Sequence, residues 1–178
     1  VHLMGLLSDG GVHSHIEHLE ALLTLAGDLK IPEIFIHAFL DGRDTPPNSS
    51  PAYIDRILRH PKARIASVSG RYFAMDRDKR WDRVEKAYDV LTGSTQPILK
   101  SAQEVIQASY TNGKTDEFVE PTLLDPNGAI RDGDALVFFN YRSDRAREIT
   151  QAFVLEDFSE FNRKKKVKLS AFAGMTQY

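Results

Sequence analysis

The residues of this chain that could do chemistry gather in four short stretches. Gly10-Gly11 is followed by His13-Ser14-His15-Ile16-Glu17-His18; then come Asp41-Gly42-Arg43-Asp44, the charge-dense run from Gly70 to Arg80, and Arg142-Ser143-Asp144-Arg145. The candidate site residues are His13, Arg43, Asp44, Arg71, Arg77, Arg142 and Arg145, and five of these seven are arginines. A guanidinium presents a planar fork of donors that grips phosphate or carboxylate through two bonds at once. Five around one cleft therefore predict a substrate with more than one anionic group. His13 follows two glycines, where a chain can approach an anion closely, and precedes a helix start, where backbone N–H groups attract negative charge.

Each stretch also has a plainer reading. His13, His15 and His18 could hold a metal, but only the last two share a helical face and no thiolate accompanies them; polarity at a helix start is the simpler account. Asp41 to Asp44 is a common turn composition, a type I turn with a local ion pair. Alternating charge over Gly70 to Arg80 ordinarily means a solvated loop. Arg142 to Arg145 could be a helix cap made by Ser143 or Asp144, with Arg145 exposed. What favours a site is that all four stretches fall where predicted strands end.

Those strands follow from the apolar pattern. Val1 to Leu7 is an apolar run; after it, Ile16, Leu19, Leu22, Leu23 and Ala26 recur at helical spacing within His15 to Leu29. The same order of strand, polar loop and helix returns with Ile34 to Leu40 and a helix from Ser50, whose hydroxyl is expected to cap it ahead of Pro51. It returns again with Arg64 to Ser69, a polar loop over Arg71 to Arg80 and a helix over Trp81 to Leu91. A fourth unit runs from Ala135 to Asn140 into a helix over Arg145 to Leu155. Between them, Ser101 to Ser109 reads as a helix and Glu117 to Leu124 as extended or irregular, and Val167 to Phe172 reads as a last strand. Repeated βα units predict an α/β fold, a three-layer α/β/α sandwich with a mostly parallel sheet, whose ligands lie at the carboxyl ends of the strands.

Composition closes off other classes. With 23 Lys plus Arg against 25 Asp plus Glu, the net charge is −2, which lacks the basic excess of a general nucleic-acid or anionic-membrane binder. The 42% hydrophobic content supplies a core and excludes whole-chain disorder. No apolar run approaches the ~20 residues that cross a bilayer. The absence of cysteine excludes disulfide scaffolds, thiolate zinc sites and cysteine nucleophiles, and fits a reducing cytosol, so a cytoplasmic location is expected. Both ends read as strand-like, as in a domain cut from a longer protein.

The stretches Gly5 to His15, His37 to Asp44, Ser69 to Trp81 and Phe139 to Arg145 together resemble the cofactor-independent phosphoglycerate mutases, in order and over nearly the whole chain. The resemblance implies that residues 1–178 form a single substrate-binding domain of a larger two-domain isomerase. That enzyme interconverts 3-phosphoglycerate and 2-phosphoglycerate through a phosphoserine in a phosphatase-like domain carrying two manganese ions. It implies substrate binding by His13, Arg43, Asp44, Arg71, Arg77, Arg142 and Arg145, with Asp44 also relaying a proton to or from the glycerate hydroxyls. The family's nucleophilic serine and metal ligands do not appear here, so the implied cofactors of this chain are none and isolated catalysis is not expected. Phe73 stands where the family pattern has a tyrosine. A free-standing phosphoanion-binding module is the alternative from a different class, and a histidine-site metallohydrolase a third.

Overall fold

The computed structural model describes all 178 residues, Val1 to Tyr178. In chain order the elements are β1 (His2–Leu6), α1 (Ile16–Asp28), β2 (Phe35–Leu40), α2 (Ser50–Leu58), β3 (Ile65–Gly70), α3 (Arg71–Ala74), α4 (Trp81–Leu91), α5 (Ala102–Thr111), β4 (Thr122–Leu123), β5 (Ala135–Phe138), α6 (Arg147–Val154) and β6 (Ala171–Gly174). The strands form one sheet in the order β4-β3-β2-β1-β5-β6, parallel throughout except for β4 against β3. Strands buried on both faces read as continuous apolar runs, which is why Leu3, Met4, Leu6 and Leu7 are all buried.

Two hydrophobic clusters lie on opposite faces and make the three layers. On one, Leu3, Ile36, Ala38 and Leu40 meet Leu19 and Leu23 of α1, Ile54 and Ile57 of α2, and Ile106 of α5. On the other, Met4, Leu6, Phe39 and Phe138 meet Phe73 of α3, Val84 and Tyr88 of α4, and Ile149 and Phe153 of α6. The chain winds outward from β1 through β2 to β3, then returns to the far side of β1 for β5 and β6. That reversal opens a crevice above the carboxyl ends of β1 and β5, the place where open α/β sheets bind ligands.

Several expectations are corrected. Ser50 does not cap α2; its hydroxyl is buried without a partner, and Asp116 Oδ2 instead accepts the backbone N–H groups of Ser49 and Ser50, each at 2.9 Å. The segment from Arg71 is not wholly loop, because Arg71–Ala74 forms one helical turn with Arg71 and Phe73 buried. The last strand is Ala171–Gly174 rather than Val167 to Phe172, since the Val167 side chain packs into the core while the backbone from Ala171 runs parallel to β5. The antiparallel strand is the short β4, within the stretch read as extended or irregular, and only its direction was unforeseen.

Candidate functional site

The loop after β2 is built around a carboxylate. Asp41 Oδ1 accepts the backbone N–H groups of Arg43 (3.2 Å) and Asp44 (2.9 Å), a local turn that fixes where both side chains start. Ser8, in the loop after β1, donates its hydroxyl to Asp41 Oδ2 at 2.7 Å and so ties the β1 and β2 loops together. Burial opposes the charge on Asp41, yet the hydrogen bonds from Asp44 N–H, Ser8 and Arg71 hold its carboxyl below the usual range. The turn expected at Asp41 to Asp44 is present, but its local ion pair is not: Arg43 reaches Glu117 at 3.4 Å, and the acids pair with Arg71.

Arg71 is the hub. It begins α3 directly after β3, and Gly70 makes that start possible, because a Cβ there would lie 2.2 Å from the Glu117 carbonyl oxygen. Its Nη1 donates to Asp41 Oδ1 at 2.7 Å and to Asp44 Oδ2 at 2.5 Å, and its Nη2 donates to His13 Nε2 at 2.9 Å. Arginine has no acceptor, so His13 Nε2 must accept and the ring hydrogen resides on Nδ1. Burial, then the Arg71 charge, pushes His13 down to about 4, so the imidazole is neutral near pH 7.

The loop after β5 closes the crevice. Asn140 Oδ1 accepts Leu6 N–H at 2.9 Å, and His13 carbonyl oxygen accepts Tyr141 N–H at 2.8 Å, which locks the β1 and β5 loops together. Arg142 and Arg77 both pair with Asp144: Arg77 Nη1 lies 2.7 Å from Oδ2 and Arg142 Nε 2.9 Å from Oδ1. Arg145 is half-buried rather than exposed, donating to the Met75 carbonyl at 3.1 Å, and α6 starts after Ala146 with no side-chain cap. Burial and then the charges of Arg77, Arg71 and Arg43 lower the Arg145 pKa, the mark of a positive field concentrated at one spot.

The seven predicted residues therefore meet, in two groups. Arg43, Arg71 and Arg145 line a cleft of about 220 Å³ together with Tyr72, Arg83 and Glu117. His13 and Asp44 sit on Arg71, while Arg77 and Arg142 meet on Asp144, whose Oδ1 is 3.8 Å from His13 Nδ1. The three histidines do not converge: His15 Nδ1 accepts Glu17 N–H at 3.3 Å as the cap of α1, and His18 packs against Tyr141. No three His, Asp or Glu side chains of this chain come together as metal ligands.

Sequence reasoning passed over Asp41 and Asp144 as members of the site, although both lie inside the quoted stretches and Asp41 has the spacing of an Asx turn. It also passed over Asp116, Asp76 and Arg83. Asp76 Oδ2 accepts Asp78 and Arg80 N–H, each at 2.9 Å, and thereby shapes the loop that carries Arg77. Arg83 stacks over Tyr72 at 3.7 Å. Nothing local marks Asp116 and Arg83, because their partners are fixed only by the fold, whereas Asp76 is bonded within its own loop.

Comparison with known proteins covers the whole chain. The family model described as the BPG-independent PGAM N-terminus matches residues 1–178. The 2,3-bisphosphoglycerate-independent phosphoglycerate mutase of Clostridium tetani is 52% identical over 186 residues, covering 100% of this chain and 36% of its own length. That of Hydrogenovibrio crunogenus is 47% identical over 187 residues, with the same coverage. The crystal structure of Leishmania mexicana phosphoglycerate mutase superposes with a TM-score of 0.92 at 36% identity, over 99% of this chain and 35% of that one. The chain thus spans about a third of the length of the relatives it matches, and it belongs to the family of BPG-independent phosphoglycerate mutase N-terminal regions.

Proposed function

We propose that residues 1–178 are the substrate-binding domain of a phosphoglycerate mutase, an isomerase of glycolysis and gluconeogenesis, and that the domain holds 3-phosphoglycerate or 2-phosphoglycerate while a phosphoryl group is exchanged. The observation that carries this reading is that Arg43, Arg71 and Arg145 line one cleft, where burial and then the charges of Arg77, Arg71 and Arg43 depress the Arg145 pKa. A phosphoglycerate bears a phosphate and a carboxylate, which calls for two anion-binding groups at fixed separation. Two groups of arginines, one around Arg71 and one around Asp144, match that demand.

The roles divide by geometry. Arg71 is held by two carboxylates and His13, so it is a fixed point charge on which a ligand lands without reorganisation. Asp44 commits Oδ2 to Arg71, which leaves Oδ1 to meet a glycerate hydroxyl and to take or return its proton. Neutral His13 adds bulk and dipole without adding charge. The phosphoserine and two manganese ions belong to the phosphatase-like part of the same polypeptide, with which this domain works in the cytoplasm. No helix is long and apolar enough to cross a membrane. The metal supplies activation of the serine and phosphate there, and this chain alone is expected to be inactive.

Amide chemical shifts during titration with 3-phosphoglycerate, inorganic phosphate and glycerate test the reading. Saturable shifts at His13, Arg43, Arg71, Arg77, Arg142 and Arg145, larger for phosphoglycerate than for either half, are the expected result. A folded chain without saturable shifts overturns it.

A further inference from the structure

Asp144 lies in the middle of the site, yet the proposed chemistry gives it nothing to do. Its carboxylate lies 2.9 Å from Arg142 Nε and accepts from Arg142 Nη2 at 3.0 Å, which occupies the guanidinium edge best suited to bidentate anion binding. It also accepts from Arg77 Nη1 at 2.7 Å. Two of the five arginines assigned to substrate are therefore already engaged by a carboxylate of the chain itself. On the other side, Asp144 Oδ1, which Arg142 Nε approaches at 2.9 Å, faces His13 Nδ1 at 3.8 Å, and this buried ring nitrogen has no hydrogen-bond partner. Arg71 has fixed the hydrogen on Nδ1, so a shift of about 1 Å brings this donor and acceptor to bonding distance.

We propose that Asp144 is a positioning residue with two stations: it stands in for the substrate anion on Arg77 and Arg142 when the site is empty, and it moves onto His13 Nδ1–H when the ligand takes those arginines. The inference deepens the function proposed above and rests on it. Its physical basis is an exchange of near equals. Arg77 and Arg142 are 44% and 46% exposed, and ion pairs that open to water are weak, so an incoming phosphate of higher charge displaces the carboxylate readily. The displaced carboxylate then accepts from His13 Nδ1–H, the buried donor that the empty site leaves unpaired. In the empty state the same carboxylate keeps two cations from repelling each other. When product leaves, it returns and hastens the departure.

Calorimetric titration of this chain and of Asp144→Asn with inorganic phosphate and with 3-phosphoglycerate tests the inference, with thermal melting as the control for folding. Removing the internal competitor is expected to tighten phosphate binding about fivefold, the size of an exposed pair's contribution. In the parent chain the His13 Nδ1 resonance is expected to move on ligand addition, and in Asp144→Asn it is not. In the full-length enzyme the substitution is expected to lower KM and kcat together, because release is slowed. Asp144→Ser is read in place of Asp144→Asn if the latter melts early. Binding by the parent chain with no tightening in the variant, or a His13 Nδ1 resonance that ignores ligand, overturns the role of Asp144 and leaves the proposed function standing. Absence of binding in both chains overturns the two together.

Discussion

Arg71 has a side chain only 3% exposed, against 60% for Arg43, 44% for Arg77 and 46% for Arg142. That contrast separates a buried cation held in place by the chain's own acids from cations open to solvent. Replacing Arg71 by alanine strands the carboxylates of Asp41 and Asp44, and the loss expected in urea unfolding is about 3–5 kcal/mol, as for breaking a buried pair. Arg77→Ala should instead stay within about 0.5 kcal/mol of the parent in the same experiment while weakening anion binding. His13 sets a pH dependence. Its pKa is lowered to about 4 in the folded chain from an ordinary 6.5, so above 6.5 neither state is protonated and nothing is lost. As pH falls from 6.5 toward 4 the unfolded chain takes up the proton first, and stability declines by up to about 3 kcal/mol. His2 and His37 shift in the same direction through burial. They form a buried relay in which His37 Nε2 meets His2 Nδ1 at 2.9 Å and His2 Nε2 meets Asp134 at 3.1 Å. Denaturation midpoints at pH 7, 6 and 5 should fall in that order, more shallowly in His13→Gln; a flat series would contradict the assignment.

At the scale of elements, the short segment from Asp116 to Phe118 controls more than its length implies. Its backbone lies under Gly70 at the end of β3 and against Gly42 in the turn before Arg43, where a Cβ would come within 2.9 Å of Asp116 Cβ. The Asp116 side chain caps α2, and Tyr110 of α5 donates to its Oδ1. Asp116→Ala removes a helix cap and is expected to cost about 1–2 kcal/mol, measurable by chemical denaturation. Gly70→Ala must push the Glu117 backbone away and move Arg71 with it, so phosphate affinity should fall together with stability; unchanged binding would show that the approach is dispensable. Both effects reach the site through the arginine loops although neither residue faces the ligand.

For the whole molecule, the chain carries one half of the proposed cage. Its arginines line an open crevice, and the phosphoserine would come from the rest of the polypeptide. The complete enzyme is therefore expected to close on substrate and exclude the water that would hydrolyse the intermediate. Small-angle scattering of the full-length protein should show a smaller radius of gyration with 3-phosphoglycerate than without, and an unchanged radius would argue against closure.

The sequence by itself determined the layered α/β architecture, because burial on both faces writes strands as continuous apolar runs, and helical periodicity marks the segments between them. It also placed the seven candidate residues near one edge, because strand ends in such a sheet lie together. The tertiary structure alone decided which residue meets which. Ion pairs such as Arg71 with Asp41 and Asp44, the Asp116 cap on α2 and the shared carboxylate of Asp144 join residues up to tens of positions apart. Their choice depends on side-chain reach and burial in the assembled fold, for which neighbouring residues carry no signal. The parallel course of β6 and the antiparallel β4 were decided there too, since a strand's direction depends on the path of the chain around the sheet and not on its own apolar pattern.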